Sequence, residues 1–363
     1  MARVTLLCGA LACAVSVCAQ NTGVAFSATV DGYVEVPYAP EVVPQSGITV
    51  EAWITYDDAT LPTGWRYPTI VRQGLSVGGS EDYFLRINAD NTGLRILRWK
   101  VVTATSAPTV NWNFAAGQLL NWTHVAATYD GTTAALYVNG ALVGSAAGIG
   151  EPIRDLNNEV FRIGKGSDVA TPIEVWNGQI DEVRLWPFAR TAAEIQQTMN
   201  FALSSVPGRV STWNLDNHTL DTSGNLNATI AGTVTYTANP LALTALPAPS
   251  AFPVGAGTPG CLGPLGLTIG SLPQAGNLAF APVCTRAPGN AIAFLAMGFG
   301  AAAAPWHVAG IDFWLDPAFN VVTLAPTNGL GAARFGVPLP SWLGAGHSFA
   351  FQYAFLDPCG PQG

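Results

Sequence analysis

The chain has 363 residues, of which 49% are hydrophobic and only 10% are charged, with 39 glycines and 26 prolines. This length favours two domains of about 150 residues each, and the many aromatic residues with little charge argue against a disordered chain. The net charge of −8 leaves no evident basic patch for phosphate groups, so nucleic acid is not expected as a partner.

The N-terminus has the pattern of a secretory leader. Arg3 supplies a positive start, and an apolar run over residues 4–17 is followed by small residues. The run is shorter than the roughly 20 residues of a membrane-spanning helix, so no transmembrane segment is expected in the mature chain. We therefore predict a signal peptide at 1–19 and an extracytoplasmic protein, secreted or associated with the cell surface. The alternative is a lipoprotein lipidated at Cys13 or Cys18, although neither follows a Leu by three residues, as bacterial lipidation signals usually require.

The next part of the chain is typical of short strands separated by turns. Residues 47–56, 82–88 and 93–100 each have a strand pattern rich in β-branched or aromatic residues. The dipeptides Asp130-Gly131 and Asn139-Gly140 lie on either side of another strand, and both favour hairpin turns because such turns need positive φ. The sequence thus predicts an all-β protein with consecutive antiparallel strands.

One helix is predicted, over residues 191–199. Thr191 and Glu194 have the spacing of a capping box. Because the helix is short, we expect it to cover one end of a β-sandwich.

A Pro/Ala-rich segment at 239–252 predicts a semi-stiff linker. It separates a first domain, 20–238, from a second, smaller β-rich domain, 253–363. In the second domain the apolar stretch 291–304 is too short to span a bilayer and predicts a buried strand and turn.

Three cysteines lie beyond the leader, so one disulfide and one free thiol are the simplest arrangement in an oxidising compartment. A bridge between Cys261 and Cys284 would close a loop of about 23 residues, which is worth roughly 3–4 kcal/mol. A bridge between Cys261 and Cys359 would close a longer loop. We expect the shorter loop, with Cys359 free, because Cys359 is close to the C-terminus.

The first domain contains an ordered set of motifs spread over nearly its whole length. They are Val24–Phe26, Gly32–Val36, Ile48–Trp53, Trp122–Ala126, Tyr129–Gly131, Leu136–Gly140, Arg162–Gly164, Gly178–Trp186 and Arg190–Ile195. This set resembles the laminin-G-like, concanavalin A-like jelly roll that is common in secreted bacterial proteins. The resemblance implies two stacked antiparallel sheets, but not the ligand, since the fold serves adhesion, sugar binding and plain spacing.

The second domain resembles a Gly-rich module found at the C-termini of exported proteins in some environmental bacteria. The matching text is Gly255–Cys261, Ser271–Pro273, Val337–Pro340, Phe351-Gln352 and Leu356-Asp357. Similar modules usually run on into a last strand, so we expect this domain to be truncated soon after Asp357.

A glycoside hydrolase is the enzymatic alternative, because laminarinase-like enzymes resemble this fold. A retaining mechanism needs two carboxyl groups about 5–5.5 Å apart. In the nearest text, Gln179–Arg184, only Asp181 and Glu182 are acidic, and as neighbours on a strand they should point to opposite faces. No HExxH or Gly-x-Ser-x-Gly motif is present either. The sequence therefore predicts a protein that is not an enzyme.

Calcium is the expected cofactor, because jelly rolls that resemble this one often hold such an ion at the rim. Calcium takes oxygen ligands, and Asp31 and Asp181 are the candidates. The alternative is that Asp31 opens a turn and Asp181 accepts backbone hydrogen bonds.

Sugar binding requires exposed aromatic faces beside polar groups. Trp65, Trp112 and Trp176 lie in predicted loops beside polar or turn residues, although a tryptophan that caps a sandwich end is equally ordinary. Together these features predict an exported binding or adhesion protein that engages a glycan or a surface protein. The alternative is a structural component of the cell surface without a small ligand.

Overall fold

The structure is a computed structural model. It describes residues 5–9, 21–59, 64, 66–74, 81–156, 159–168, 174–203, 211–222, 226–241, 243–245, 250–254, 259–260, 262–298, 301–308, 311–315, 321–341 and 348–355.

Nearly all regular structure in the described residues is strand. The strands are β1 (Thr5–Gly9), β2 (Thr22–Phe26), β3 (Gly32–Val36), β4 (Ile48–Ile54), β5 (Thr69–Gln73), β6 (Tyr83–Ala89), β7 (Arg95–Val101), β8 (Thr109–Asn113), β9 (Thr123–Tyr129), β10 (Thr133–Val138), β11 (Ala141–Ala147), β12 (Phe161–Ile163), β13 (Gly178–Trp186), β14 (Phe201–Ala202), β15 (Ser211–Trp213), β16 (Thr229–Gly232), β17 (Thr235–Ala238), β18 (Thr244–Ala245), β19 (Ser250–Val254), β20 (Pro259–Gly260), β21 (Gly263–Pro264), β22 (Gly266–Ile269), β23 (Pro282–Thr285), β24 (Ile292–Gly298), β25 (Ala301–Val308), β26 (Ile311–Leu315), β27 (Val321–Pro326), β28 (Ala333–Arg334) and β29 (Ser348–Phe355). A 3-10 turn covers Pro40–Val42 and one α-helix, α1, covers Ala192–Thr198.

The chain divides into two compact units. The first contains residues 17–202 and 210–244, and the second contains 1–16, 203–209 and 245–363. The predicted linker does not begin at 239, because Asn239 is part of the first unit, where its amide donates to Asp181 Oδ2 at 2.7 Å and accepts from Asn21 at 3.1 Å.

The first unit is a jelly-roll sandwich of two antiparallel sheets. One sheet has the strand order β11-β10-β9-β4-β13-β2-β17, with β15 also paired to β13, and the other has the order β16-β3-β12-β5-β6-β7-β8. The sheets pack face to face: Phe161 stacks on Trp213 at 5.4 Å, and Trp99 Nε1 donates to Thr128 O at 3.0 Å across the interior. The all-β prediction is confirmed.

The hairpin turn at Asn139-Gly140 forms as predicted. Both residues have positive φ, 48° and 75°, and they join β10 to β11. The side chain of Asp130 orders the preceding turn by accepting from the backbone N–H of Thr132 and Thr133 at 2.8 and 2.7 Å.

Helix α1 has the predicted capping box, with Thr191 accepting from Glu194 N and Glu194 accepting from Thr191 N. Its position differs from the prediction. The helix segment covers the side of the eight-stranded sheet (the sheet that contains β4) that points away from the sandwich core, rather than one end of the sandwich. The hydrogen bond from Trp53 Nε1 to Met199 O, at 2.8 Å, shows this position. The physical reason is that β4 has the polar side chains of Thr49 and Glu51 on this face, and both are fully buried and need partners.

The second unit contains a five-stranded sheet, β19-β1-β29-β24-β27, and a three-stranded sheet, β22-β23-β28. Its core includes Phe280 against Phe351 at 5.9 Å and the buried bond from Tyr353 Oη to Pro282 O at 3.0 Å. The apolar stretch 291–304 contributes to β24 and β25, as predicted, but β24 is not fully buried, because Ile292 and Phe294 are exposed. Among the described residues, no helix is long and apolar enough to cross a membrane.

Part of the predicted leader lies in this sheet. Strand β1 pairs antiparallel with β19 through Thr5↔Val254 and with β29 through Thr5↔Gln352. Cleavage before Gln20 would therefore remove a strand that both neighbours share.

Candidate functional site

The outer face of the seven-stranded sheet carries rings and charged groups in place of apolar side chains. In β6, Tyr83, Leu85 and Ile87 point to the core with no exposure, so the alternation of a strand places Phe84 and Arg86 on the outer face. In β7 the same alternation places Arg98 and Lys100 outside, since Leu97 and Trp99 are fully buried inside. We call this surface the outer face; it is built from β3, β12, β5, β6, β7 and β8.

At the centre of the outer face a guanidinium lies between two rings. Arg86 Cζ is 4.3 Å from the ring centre of Tyr67 and 4.1 Å from that of Phe84. These distances are within the range of cation–π contacts. Arg86 Nε donates to the side-chain oxygen of Asn88 at 3.1 Å, which fixes the plane of the guanidinium.

A second ring lies toward the β3 edge. Tyr33 has Arg162 Cζ at 4.5 Å and Lys165 Nζ at 4.7 Å from its ring centre. Arg162 also pairs with Glu35 and Asp168, each at 2.9 Å. The cations at this end are therefore neutralised by acids.

Between these two places, Arg72 bridges two carboxylates. Its Nη2 is 3.3 Å from Glu81 Oε2 and its Nη1 is 3.8 Å from Glu174 Oε2, while Lys100 Nζ lies 2.9 Å from Glu81 Oε1. Burial opposes ionisation of Glu81, but the hydrogen bond from Lys100 and the charges of Lys100 and Arg72 outweigh it and lower the pKa. Glu81 is thus held ionised and is unsuited to act as a general acid at neutral pH.

Of the 15 basic residues in the chain, six lie on this face: Arg72, Arg86, Arg98, Lys100, Arg162 and Lys165. The amino-acid sequence does not show this concentration directly, because the six residues are scattered over about 95 residues of an acidic chain. The alternation of Phe84, Arg86 and Asn88 within β6 was the local signal that could have indicated it.

Two of the three tryptophans predicted to bind sugar lie in the described part of the chain, and neither is in an exposed loop. Trp112 lies inside β8 rather than in a loop, opposite Leu97, and its half-buried ring stacks on Phe114 at 5.9 Å. Trp176 is in a loop but has no exposed surface, because its Nε1 donates to Thr55 O at 3.0 Å and its ring packs on Tyr56 at 4.9 Å. A buried ring cannot stack on a sugar, which corrects the prediction for Trp176. Trp65 lies outside the described residues.

The two predicted calcium ligands each have protein partners. Asp31 is bound by Lys165 Nζ at 2.8 and 3.0 Å. Asp181 has no exposed surface and accepts from Asn239 Nδ2 at 2.7 Å and from Glu182 N at 2.8 Å. Within the described ranges, no group of three or more His, Cys, Asp or Glu side chains could hold a metal. Asp181 is buried, whereas the Asp31 side chain is exposed, and the calcium site stays a prediction.

The carboxylates of β13 depart from the expected alternation. The pairing of β13 with β4 shifts register between Asp181 and Arg184, and Glu182 has a φ of 51°, which together define a β-bulge. Both Asp181 and Glu182 are buried, and Glu182 pairs with Arg184 at 2.9 Å. Burial, rather than opposite orientation, keeps this pair from a substrate.

A second buried charge cluster lies beneath α1. Glu51 on β4 pairs with Arg190, lies 3.4 Å from His124 Nε2 and 3.8 Å from Arg184 Nη1, and has no exposed surface. Desolvation is the main cause that lowers the pKa of His124, so its imidazole is neutral at pH 7. The cluster is inaccessible and stabilises the contact between helix and sheet.

The structure describes one of the two cysteines of the predicted disulfide, so the Cys261–Cys284 bridge stays a prediction. Cys284 is a free thiol, 1% exposed, on β23, and Cys261 and Cys359 lie outside the described residues. Burial raises the pKa of the Cys284 thiol to about 12.

The fold and its outer face define a jelly-roll β-sandwich protein. Residues 27–196 match the family model described as the concanavalin A-like lectin/glucanases superfamily. A search among curated proteins gave no match.

Solved structures similar to the chain include a protein from Bacteroides ovatus ATCC 8483 described as a proposed carbohydrate-binding protein. It is 24% identical with a TM-score of 0.46, and the alignment covers 63% of this chain and 61% of that chain, less than two thirds of it. A heptameric SAP-like pentraxin from Limulus polyphemus is 18% identical with a TM-score of 0.43, and the alignment covers 62% of this chain and 99% of that chain. The CBM40 module of a Ruminococcus gnavus IT-sialidase is 16% identical with a TM-score of 0.33, over 42% of this chain and 82% of that chain.

Proposed function

We propose that the chain is a binding protein and that the outer face of its seven-stranded sheet binds a glycan. The observation on which this rests is the arrangement of Arg86 between the half-buried ring of Tyr67 and the buried ring of Phe84, beside the amide of Asn88. Of the two rings, Tyr67 is the one that a sugar can reach. Sugar-binding surfaces combine aromatic faces, on which C–H groups pack, with a few placed polar groups that fix orientation. The name of the superfamily, which includes lectins, supports the same reading.

Binding fits these residues better than hydrolysis. A glycosidase needs a carboxyl group with a raised pKa that can reach the glycosidic oxygen. Burial is the main cause that raises the pKa of Asp82 to about 6 and of Asp181 to about 8, yet neither side chain has exposed surface. The acids near the rings, Glu81 and Glu174, are held by Arg72.

A glycan array probed with the full chain, with and without a calcium chelator, tests the proposal. Retention of at least one glycan family supports binding, and loss of that retention in chelator would add calcium to the site. A chain that retains no glycan in either condition would contradict glycan binding. It would favour the alternatives of a surface-protein partner or a display role without a small ligand.

We also propose that the chain is exported and that its leader is removed before Gln20. The charged start, the apolar run and the small residues that follow support this. Mass spectrometry of protein recovered outside the cytoplasm should find a chain that begins at or near Gln20. An intact Met1, or a lipid on Cys13 or Cys18, would contradict this.

A further inference from the structure

Two arginines lie directly opposite each other on the outer face. In the antiparallel pair of β6 and β7, Arg86 is in register with Arg98. Like charges in directly opposite positions destabilise a sheet, so this pair is a local cost in a chain that has only 15 basic residues.

Neither guanidinium is neutralised by an acid. Among the described residues, no carboxylate oxygen lies within 4.0 Å of Arg86 or Arg98, whereas Arg72, Arg95, Lys100 and Arg162 on the same sheet each have such a partner. Glu174 is the acid with the largest electrostatic effect on Arg86, and it lies at Arg72.

Both guanidiniums are held in place by amides. Arg86 Nε donates to Asn88 at 3.1 Å, and Arg98 Nε donates to Asn111 at 2.7 Å. No described residue accepts a hydrogen bond from the Nη groups of either arginine. The site therefore offers up to four Nη donors with two positive charges, next to the rings of Tyr67 and Phe84.

Burial and the neighbouring positive charges both oppose ionisation of Arg86. Burial is the main cause that lowers the pKa of Arg86, to about 10, and the charges of Arg72 and Arg98 lower it further, against the opposing effect of Glu174. Arg86 remains charged at neutral pH. Unfavourable pairings that lower stability, such as two opposed arginines, are expected at positions where function requires them.

We propose that the glycan bound by the outer face is acidic and that its anionic group, a carboxylate or sulfate, is held between Arg86 and Arg98. A planar guanidinium can donate two parallel hydrogen bonds to two oxygens of either a carboxylate or a sulfate. An anion at this position would offset the repulsion between the two arginines, while the half-buried ring of Tyr67 contacts the sugar ring. Phe84 is buried and supports the Arg86 guanidinium from the other side. This inference rests on the proposed function and specifies its substrate class.

The test compares polygalacturonate with its fully methyl-esterified form, which has the same backbone without the charge, and dextran sulfate with dextran. The full chain is expected to bind polygalacturonate, dextran sulfate or both at least about tenfold more tightly than the neutral counterpart. Rising salt should weaken this binding. The carboxylate and sulfate arms show which anionic group the site prefers.

Arg98→Gln and Arg86→Gln should each weaken binding of the preferred polymer by at least about tenfold, since each removes charge-assisted hydrogen bonds. Arg98→Gln should also leave the melting temperature unchanged or raise it, because it removes a like-charge pair. An arginine with a mainly structural role would lower it. Arg95→Gln is the matched control: it removes the same charge from the same strand at a residue that pairs with Asp58, and it should retain binding.

Equal binding of charged and neutral polymers, or full binding by Arg98→Gln, would overturn this inference. If the chain binds neutral glycans and the two arginines have no effect, the proposed function stands without it. If the chain binds no glycan at all, the proposed function fails as well.

Discussion

Glu51 and Arg190 form an ion pair in which neither side chain has any exposed surface. Arg190 also lies over the ring of Trp186 at 4.2 Å and donates to Glu194 O and Thr198 Oγ1, at 2.6 and 2.7 Å. One guanidinium thus connects strand β4, strand β13 and helix α1. This connection fixes the helix on the eight-stranded sheet.

Removing one partner of this pair should destabilise the first unit strongly. Arg190→Met removes the positive charge that pairs with the buried Glu51 carboxylate. Removing one partner of a buried ion pair lowers the free energy of unfolding by about 3–5 kcal/mol. In urea denaturation, the first unit of Arg190→Met should unfold at a much lower midpoint urea concentration than that of the wild type. Glu41→Gln, at an exposed residue of the first unit, is the control and should leave the midpoint unmoved. A midpoint for Arg190→Met equal to that of the wild type would contradict a stabilising role for the pair.

The stability of the first unit should fall as pH rises from 6.5 to 8. Burial, with the nearby charge of Glu182, raises the pKa of Asp181 from 3.8 in the unfolded chain to about 8 in the fold. The folded state then binds more protons than the unfolded state between these values, so the free energy of unfolding decreases with pH, by up to about 1.4 kcal/mol per unit. The slope is halved near pH 8, where Asp181 is half ionised, and it disappears about one pH unit higher.

Between pH 6.5 and 8, the Asp181 carboxyl is the group expected to set the slope of stability with pH. The raised pKa of Asp82, about 6, acts in the same direction mostly at lower pH, and the lowered pKa of His124 has the opposite effect below 6.5. Denaturation at several pH values on wild type and Asp181→Asn checks the assignment. The substitution should flatten the slope, and an unchanged slope would assign it to another group.

The thiol of Cys284 should not react in the native protein. With its pKa raised to about 12 by burial, almost none of it is thiolate at pH 8, and the thiolate is the reactive form. Alkylation followed by peptide mapping should find Cys284 unmodified in the native protein and fully modified in guanidinium chloride. A peptide that joins Cys261 to Cys284 would restore the disulfide predicted from the sequence.

A thermal-melting experiment with and without calcium tests the predicted calcium site at Asp31 and Asp181. An ion shared by the two would have to replace Lys165 and Asn239 as their partners. If it binds only the folded unit, free calcium at 100 times the dissociation constant adds about 2.7 kcal/mol of stability. At roughly 2–4 °C per kcal/mol, this raises the melting temperature by about 5–11 °C. An unmoved curve at millimolar calcium would contradict the site, and Asp181→Asn should blunt a real response.

Local signals in the sequence predicted the strands and the helix with small errors at their ends. The strand predicted at 47–56 is Ile48–Ile54, and the helix predicted at 191–199 is Ala192–Thr198 with Thr191 as its cap. These elements depend on alternation, turn dipeptides and a capping box, which a single sequence contains. The family resemblance supplied the arrangement of the sheets.

The site could not be predicted in the same way, because it depends on which face of the sandwich each residue occupies. Trp112 and Trp176 have polar neighbours in sequence, yet packing against Phe114 and Tyr56 takes them toward the core. Arg86 and Arg98 are brought together only by the register of β6 with β7. The register between two strands, and a bulge such as that at Glu182, depend on how strands pair in the folded sheet. Neither can be predicted from the composition or the pattern of a single strand.

Glycan binding by the outer face is tested most directly by a glycan array on three full-length proteins: wild type, Tyr67→Ala and Tyr137→Ala. Tyr67 contributes the ring beside Arg86, whereas Tyr137 is a half-buried tyrosine on β10 of the other sheet and serves as the control. We predict that wild type and Tyr137→Ala retain the same glycans, and that Tyr67→Ala binds them at least about tenfold more weakly, equivalent to about 1.4 kcal/mol. Equal retention of glycans by Tyr67→Ala and wild type would contradict binding at this face.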